Sequence, residues 1–563
     1  MKFQDFKYER PDFESHKEKM IALVEEFKAA TTAKSQLSIF KQINVLRSAV
    51  STMGTLASIR HSVNTKDEFY DAENTYWDEA GPLYAELNDL LYDALLTTPF
   101  RPELEAELGT QFFKLIECGK KAFSPEIVED LQEENRLSSE YSKLIASAQI
   151  EFQGEVYTLP GLGKFTVDKD RSVREAAATA RYQFFAENEA TIDDIYDQLV
   201  AVRTKIAKKL GFNNFTELGY VRMQRTDYGP ADVANYRKQV LDFIVPVNNE
   251  IFEQQRERLG LAKLRYFDTA FEFESGNATP QGELEWIVEQ GVKMYSELSP
   301  ETKEFFDLMV EKNLLDLENK DGKQGGGYCT YINDYQVPFI FANFNGTQGD
   351  VDVLTHEVGH AFQVYRSRHL EIPELAFPTY ESCEIHSMSM EFICWPWMES
   401  LFKDDVEKYK YSHLAGALKF MPYGVLVDHF QHFVYDNPTA TKAERKAEWR
   451  RLEKQYLPHK DYEGCDFLEN GGWWQQQGHI FASPFYYIDY TLAQICALQF
   501  WMRMQNDDPN AWDDYLALCD VGGSKSFVEL VKLANLNSPF EDGCVESVIA
   551  DIKAWLDIPR ELK

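Results

Sequence analysis

Apolar residues recur every three or four positions along most of the chain, the spacing of helices that bury one face. Met20-Ile21-Ala22-Leu23-Val24-Glu25-Glu26-Phe27 and Leu83-Tyr84-Ala85-Glu86-Leu87-Asn88-Asp89-Leu90-Leu91 show it in the first 145 residues, where few Gly or Pro interrupt. The pattern breaks at Ile150–Leu159 and Pro160-Gly161-Leu162-Gly163, which predict a small hairpin and a turn. It resumes in an Ala-rich helix opened by Asp168–Arg174 and runs to Leu210, with Gly211 as a C-terminal stop. Gly276-Asn277-Ala278-Thr279-Pro280 predicts a loop. A second texture begins near residue 318. Lys323–Thr330 is Gly-rich, Val337–Phe344 is apolar and β-prone, and Asn345-Gly346 turns the chain. The expected fold is mainly α, with a small sheet beside the helix that follows residue 350. No internal repeat or low-complexity linker divides the chain. By texture, residues 1–200 form a helical N-terminal part and residues 201–563 the remainder.

Composition narrows the classes. The 563 residues carry a formal net charge of −34. A surface of that sign repels phosphate backbones and anionic lipid, so neither nucleic acid nor membrane is an expected partner. No run of about 18 uncharged apolar residues is present, and Met1-Lys2-Phe3-Gln4-Asp5-Phe6-Lys7 lacks an apolar signal core. Eight scattered cysteines without a C-x-x-C pair suit reduced thiols, and a cytoplasmic location is expected.

The chemistry centres on Thr355-His356-Glu357-Val358-Gly359-His360-Ala361. Leu354, Val358 and Phe362 recur at helical spacing, and Asp350 or Asp352 suits the helix start as a cap or a charge. Residues four apart share a helix face, so His356 and His360 project together and suit one zinc ion. Glu357 reaches the same space from the side and can act as general base toward water there. Gln363 and Arg366 stand where a longer metal motif has Gly and a third His, so the third ligand comes from elsewhere, a carboxylate being the usual alternative. Downstream, Glu381, Glu384 and Glu391 fall on roughly one side of a helix, and spacing alone does not choose among them. The Gly-rich stretch lacks the Gly-Lys-Ser/Thr ending of a phosphate loop. A strand and loop there suit an extended peptide held by main-chain hydrogen bonds. His16 and His61 stand alone and read as surface or core residues. His429 and His432, at helical spacing but without paired carboxylates, read as structural.

His-Glu-x-Gly-His followed by Glu384, Ser387 and Glu391 resembles the thimet oligopeptidase and oligoendopeptidase F family of zinc peptidases. Phe341–Thr347, the Gly-Gly-Gly-Tyr-Cys-Thr segment and Asp170-Arg171-Ser172-Val173-Arg174 resemble the oligoendopeptidase F branch, particularly the bacterial Pz-peptidases. The resemblance spans about residues 150–495. It implies Glu384 as third zinc ligand and Glu391 as a residue orienting a ligating His. It implies a deep channel between two helical lobes, oligopeptide substrates and endopeptidase action. It also implies oxyanion donors in Gly478–Tyr490: His479 on a loop, with Tyr490 and Tyr487 three apart on one helix side. Pro484 departs from the animal enzymes, where a further Tyr is expected. A monomer or weak oligomer is expected. The alternatives are a peptidyl-dipeptidase or carboxypeptidase of the same chemistry, a hydrolase of non-peptide amides, and a non-catalytic peptide-binding protein.

Overall fold

The computed structural model describes residues 1–558. Helices dominate, and their ends follow side-chain chemistry. Asp12, Thr32 and Asp67 each accept a backbone N–H at the start of Phe13–Ala29, Ala33–Val63 and Glu68–Thr97, satisfying donors that a helix cannot pair internally. These helices close an N-terminal core around Met20, Phe27, Phe40, Leu91 and Phe112, all at most 2% exposed. That core also takes in Leu375, with Leu370 and Ile372 packed against it.

The predicted hairpin forms as β1 (Ile150–Phe152) and β2 (Glu155–Tyr157), antiparallel. Gln153 and Gly154 have φ of 52° and 86°, the positive values a two-residue type I′ turn requires. The Ala-rich stretch is one helix, Arg171–Lys209, capped by Asp170 at Ser172 N. Gly211, at φ 84°, follows its end, and residue 200 lies inside it. No described helix is long and apolar enough to cross a membrane.

The small sheet lies where expected. β3 (Leu315–Glu318), β4 (Tyr328–Ile332) and β5 (Val337–Phe344) are ordered β3-β5-β4. β5 is central, parallel to β3 and antiparallel to β4, and its residues 337–342 are all buried. β4 is therefore an edge. Gly346, at φ 83°, turns the chain from β5 into the helix Gly349–Ser367. Asp350 does not close that helix's end. Its carboxylate accepts Asn345 N and Gly346 N, both at 2.8 Å, and so fixes the turn. Burial pushes the Asp350 carboxyl up to about 6. Asp352 accepts the Tyr409 hydroxyl at 2.8 Å.

Candidate metal centre and catalytic cavity

His356, Glu357 and His360 lie on Gly349–Ser367, and Glu381, Glu384 and Glu391 on the neighbouring helix Tyr380–Ile393. The two helices touch through Gly359. A Cβ there would lie 2.6 Å from His386 O and 2.6 Å from Ser387 Cα. Those are backbone atoms and cannot swing aside, so this contact sets how closely Glu384 approaches the histidines. Gly359→Ala is expected to cost about 1–3 kcal/mol through overpacking. Denaturant midpoints with and without zinc would measure it; an unchanged midpoint would show that the helices have room.

His356 Nε2 and His360 Nε2 each lie 3.2 Å from Glu384 Oε2. Among the described residues, these three side chains form the group whose ligand atoms lie within 4.8 Å of one another. Tetrahedral zinc with N and O ligands at about 2.0–2.2 Å separates its ligands by about 3.3 Å, so the donor set and spacing fit zinc. Glu384 is 1% exposed. Burial opposes its charge, but His360 and His356 outweigh that and hold the carboxyl well below the usual range. The other two glutamates point elsewhere. Glu381 is 1% exposed, and burial pushes its carboxyl up to about 7.

Glu391 grips the far side of the same imidazole. His356 Nδ1 bonds Glu391 Oε1 at 2.7 Å, and His413 Nε2 bonds Glu391 Oε2 at 2.7 Å. Trp395 donates its indole N–H to His413 Nδ1 at 2.9 Å. An indole N–H only donates, so His413 Nδ1 accepts and its Nε2–H faces the carboxylate. Glu391 then receives the Nδ1–H of His356 and leaves the Nε2 lone pair free for a metal. Glu391→Ala is expected to weaken zinc binding about 10- to 100-fold, as read by competition with a chromophoric chelator. An unchanged affinity would remove Glu391 from the site.

Glu357 is 6% exposed, and its Oε2 has no hydrogen-bond partner. Burial raises its pKa, and the two histidines only partly oppose this. A cavity of about 540 Å³ lies against these groups. Its lining includes Gly327, Tyr328 and Cys329 at the start of β4, with Arg222, Phe377 and Tyr380. A Cβ on Gly327 would come within 3.1 Å of Glu357 Oε1, so the third glycine of the run keeps space at the carboxylate.

His479, Tyr486 and Tyr490 also line the cavity. His479 lies in a short helix, Gly478–Ala482, and not on the expected loop: its carbonyl accepts the N–H of Ser483, at 2.9 Å, where the helix ends. Its Nε2 lies 3.2 Å from the Tyr490 hydroxyl, and its Nδ1 meets Gln477 at 2.8 Å. Burial pushes His479 down to about 4. Tyr487 packs its ring against Phe420, Tyr423 and His479, with centroids 5.7, 5.6 and 5.0 Å away. Tyr486 donates its hydroxyl to Glu384 Oε1. Sequence reasoning passed over Tyr486, although the Tyr-rich stretch held the signal. Pro484 removed the expected Tyr, and the turn through Phe485, at φ 69°, brings Tyr486 to the ligand. His413 and Trp395 were missed for a different reason: nothing in their local sequence marks them. His429 and His432 are held by Tyr456 and Tyr220 at 3.0 and 3.1 Å. None of the eight cysteines is in a disulfide.

Comparison with known proteins finds relatives along the whole chain. An oligoendopeptidase F homologue of Mycoplasma genitalium is 23% identical over 44% of this chain, and the match spans 43% of that relative's length. One from Borreliella burgdorferi is 22% identical over 73% of this chain and 70% of its own. A solved structure of PZ peptidase A with an inhibitor is 56% identical, covers 100% of both chains and superposes with a TM-score of 0.99. The sequence model described as Peptidase M3 N-terminal domain matches residues 3–123, and the one described as Peptidase family M3 matches residues 165–548. With that match covering most of its length, and with two histidines and a glutamate meeting beside a free carboxylate, the chain belongs to peptidase family M3.

Proposed function

We propose that this peptidase is a zinc-dependent endopeptidase that hydrolyses internal bonds of oligopeptides. The observation that carries this reading is the convergence of His356, His360 and Glu384, at 3.2 Å spacing, beside the unpartnered carboxylate of Glu357. Zinc held by those three side chains would supply a Lewis acid and bring the pKa of a water near 7. Glu357 takes a proton from the attacking water and returns it to the leaving amine. His479 and Tyr490 face the same cavity and donate toward the oxyanion of the attacked carbonyl. Tyr487 acts behind them by packing against His479. The edge strand β4 offers unpaired main-chain groups to an extended substrate. A channel between two helical lobes would admit flexible peptides and exclude folded proteins. Unpaired cysteines and an acidic surface suit a cytoplasmic monomer that binds neither nucleic acid nor membrane.

The test is mass-spectrometric mapping of cuts in a mixed library of end-blocked peptides, with and without a chelator. Internal cuts that stop on chelation and return with zinc are expected. Cuts confined to free termini would mean exopeptidase action, and chelator-resistant cutting would rule out the metal mechanism.

A further inference from the structure

Three cavity-lining side chains, His479, Tyr486 and Tyr490, come from one irregular stretch of backbone. We infer that two buried arginines, Arg203 and Arg225, are positioning residues that hold this stretch in register with the metal ligands. The inference rests on the donor roles proposed above for His479 and Tyr490.

The stretch needs holding. It runs from the short helix Gly478–Ala482 through a turn into the helix Ile488–Gln505. Phe485, in the turn, has φ 69°, a conformation that is strained for a non-glycine residue and persists only where its surroundings impose it. Arg225 imposes it from one side. It donates to Phe485 O at 2.6 Å and to Asp489 Oδ1 at 2.8 Å, so one guanidinium spans the turn and the residue preceding Tyr490. Phe485 N donates to Gln431 Oε1 at 2.9 Å, and the Phe485 ring seats against Gly219, where a Cβ would lie 2.4 Å away. Arg203 holds the other end. It donates to Ile480 O at 3.2 Å and to Phe481 O, the residues just after His479. Ser138 adds a bond to Phe481 O at 3.1 Å.

Each arginine also has a carboxylate partner, Arg203 with Glu134 at 2.7 Å and Arg225 with Asp489 at 2.8 Å, and both arginine side chains are 0% exposed. Neither lines the cavity. Buried ion pairs are a poor source of stability compared with well-packed apolar groups. A guanidinium contributes direction and reach: Arg203 spreads Nε, Nη1 and Nη2 over Glu134, Ile480 O and Phe481 O, and Arg225 makes both of its bonds from Nη2, a position beyond the end of a lysine's shorter stem. Here the acceptors are the backbone that aims the donors.

Arg225→Lys in the full-length, zinc-loaded protein tests this, with kcat, KM, bound zinc and thermal midpoint measured together. Turnover is expected to fall about 10- to 100-fold, the scale of a small displacement of catalytic groups, with KM and zinc content unchanged. Introduced into Tyr490→Phe, the same change should cost less than about threefold more, since groups acting as a unit are not additive. Wild-type kcat in folded Arg225→Lys, or losses that simply multiply, would overturn the inference. If Arg225→Lys does not fold, Gly219→Ala displaces the Phe485 ring without stranding a charge, and the same loss of kcat is expected; wild-type turnover there would overturn it equally. Full activity in Tyr490→Phe alone would refute the donor reading and this inference with it, an outcome distinct from a silent Arg225→Lys.

Discussion

Glu357→Gln is expected to bind zinc and fold as the parent does while its turnover falls about 100- to 10,000-fold, the range supplied by a positioned general base. Gln matches Glu in size and keeps a polar group in the cavity, but it has no lone pair basic enough to accept a proton at neutral pH. The site favours the exchange structurally. The Glu357 carboxylate has an oxygen without a partner, so the amide breaks no existing hydrogen bond at that atom. The environment also explains why the residue suits the work. Burial raises its pKa above that of an ordinary carboxylate, which makes it a stronger base toward water. Metal analysis alongside single-turnover rates is the measurement. A variant that retains zinc and ordinary turnover would assign the base to another group.

Tyr490→Phe carries the second large effect. Removing one donor to an oxyanion costs about 100- to 1000-fold in kcat, and KM should hardly move, because the hydroxyl matters most once charge develops. Burial holds the Tyr490 hydroxyl well above its usual pKa, so it stays protonated and able to donate. Its neighbour His479, pushed down to about 4, is neutral through the working range and gains a proton only as pH falls toward that value. Both groups are therefore neutral between pH 5 and 8, and the loss in Tyr490→Phe should be constant across that window. A loss that appeared only in KM would make Tyr490 a binding contact.

Much of the site was legible because its signals are local. Two histidines four apart, a glutamate between them and a turn-forming Asn345-Gly346 just upstream depend on spacing along one element. So did the strand Val337–Phe344, the helix opening at Asp168–Arg174 and the stop at Gly211. What local spacing could not resolve was the choice among Glu381, Glu384 and Glu391. Seven residues place Glu384 and Glu391 on the same helix side, and the fold uses both, one near each nitrogen of His356. Which nitrogen each meets depends on the distance between two helices, set at Gly359 by backbone contact. His413 and Trp395 complete the arrangement from other elements, where a lone histidine and a tryptophan carry no pattern. Tyr486 was hidden by geometry: a left-handed residue at 485 changes where each tyrosine points, and residue counting assumes a regular helix. Asp350 and Asp352 do stand as acidic residues in the first turn of the helix, but Asp350 spends its hydrogen bonds on the turn before the helix and does not cap it.

The seating of Leu370, Ile372 and Leu375 in the N-terminal core has a consequence for how the protein can be dissected. These residues belong to the connection between the two ligand-bearing helices. Glu374, within the same connection, takes hydrogen bonds from Arg47 and from the Tyr92 hydroxyl at 2.6 Å. Amputating residues 3–123 would bare Leu375, a burial worth about 1.5–3 kcal/mol, and orphan the Glu374 carboxylate at the cavity wall. The first 123 residues are thus scaffolding for the candidate metal site, and a minimal protease carved from the remainder would have to rebuild that floor before it could work.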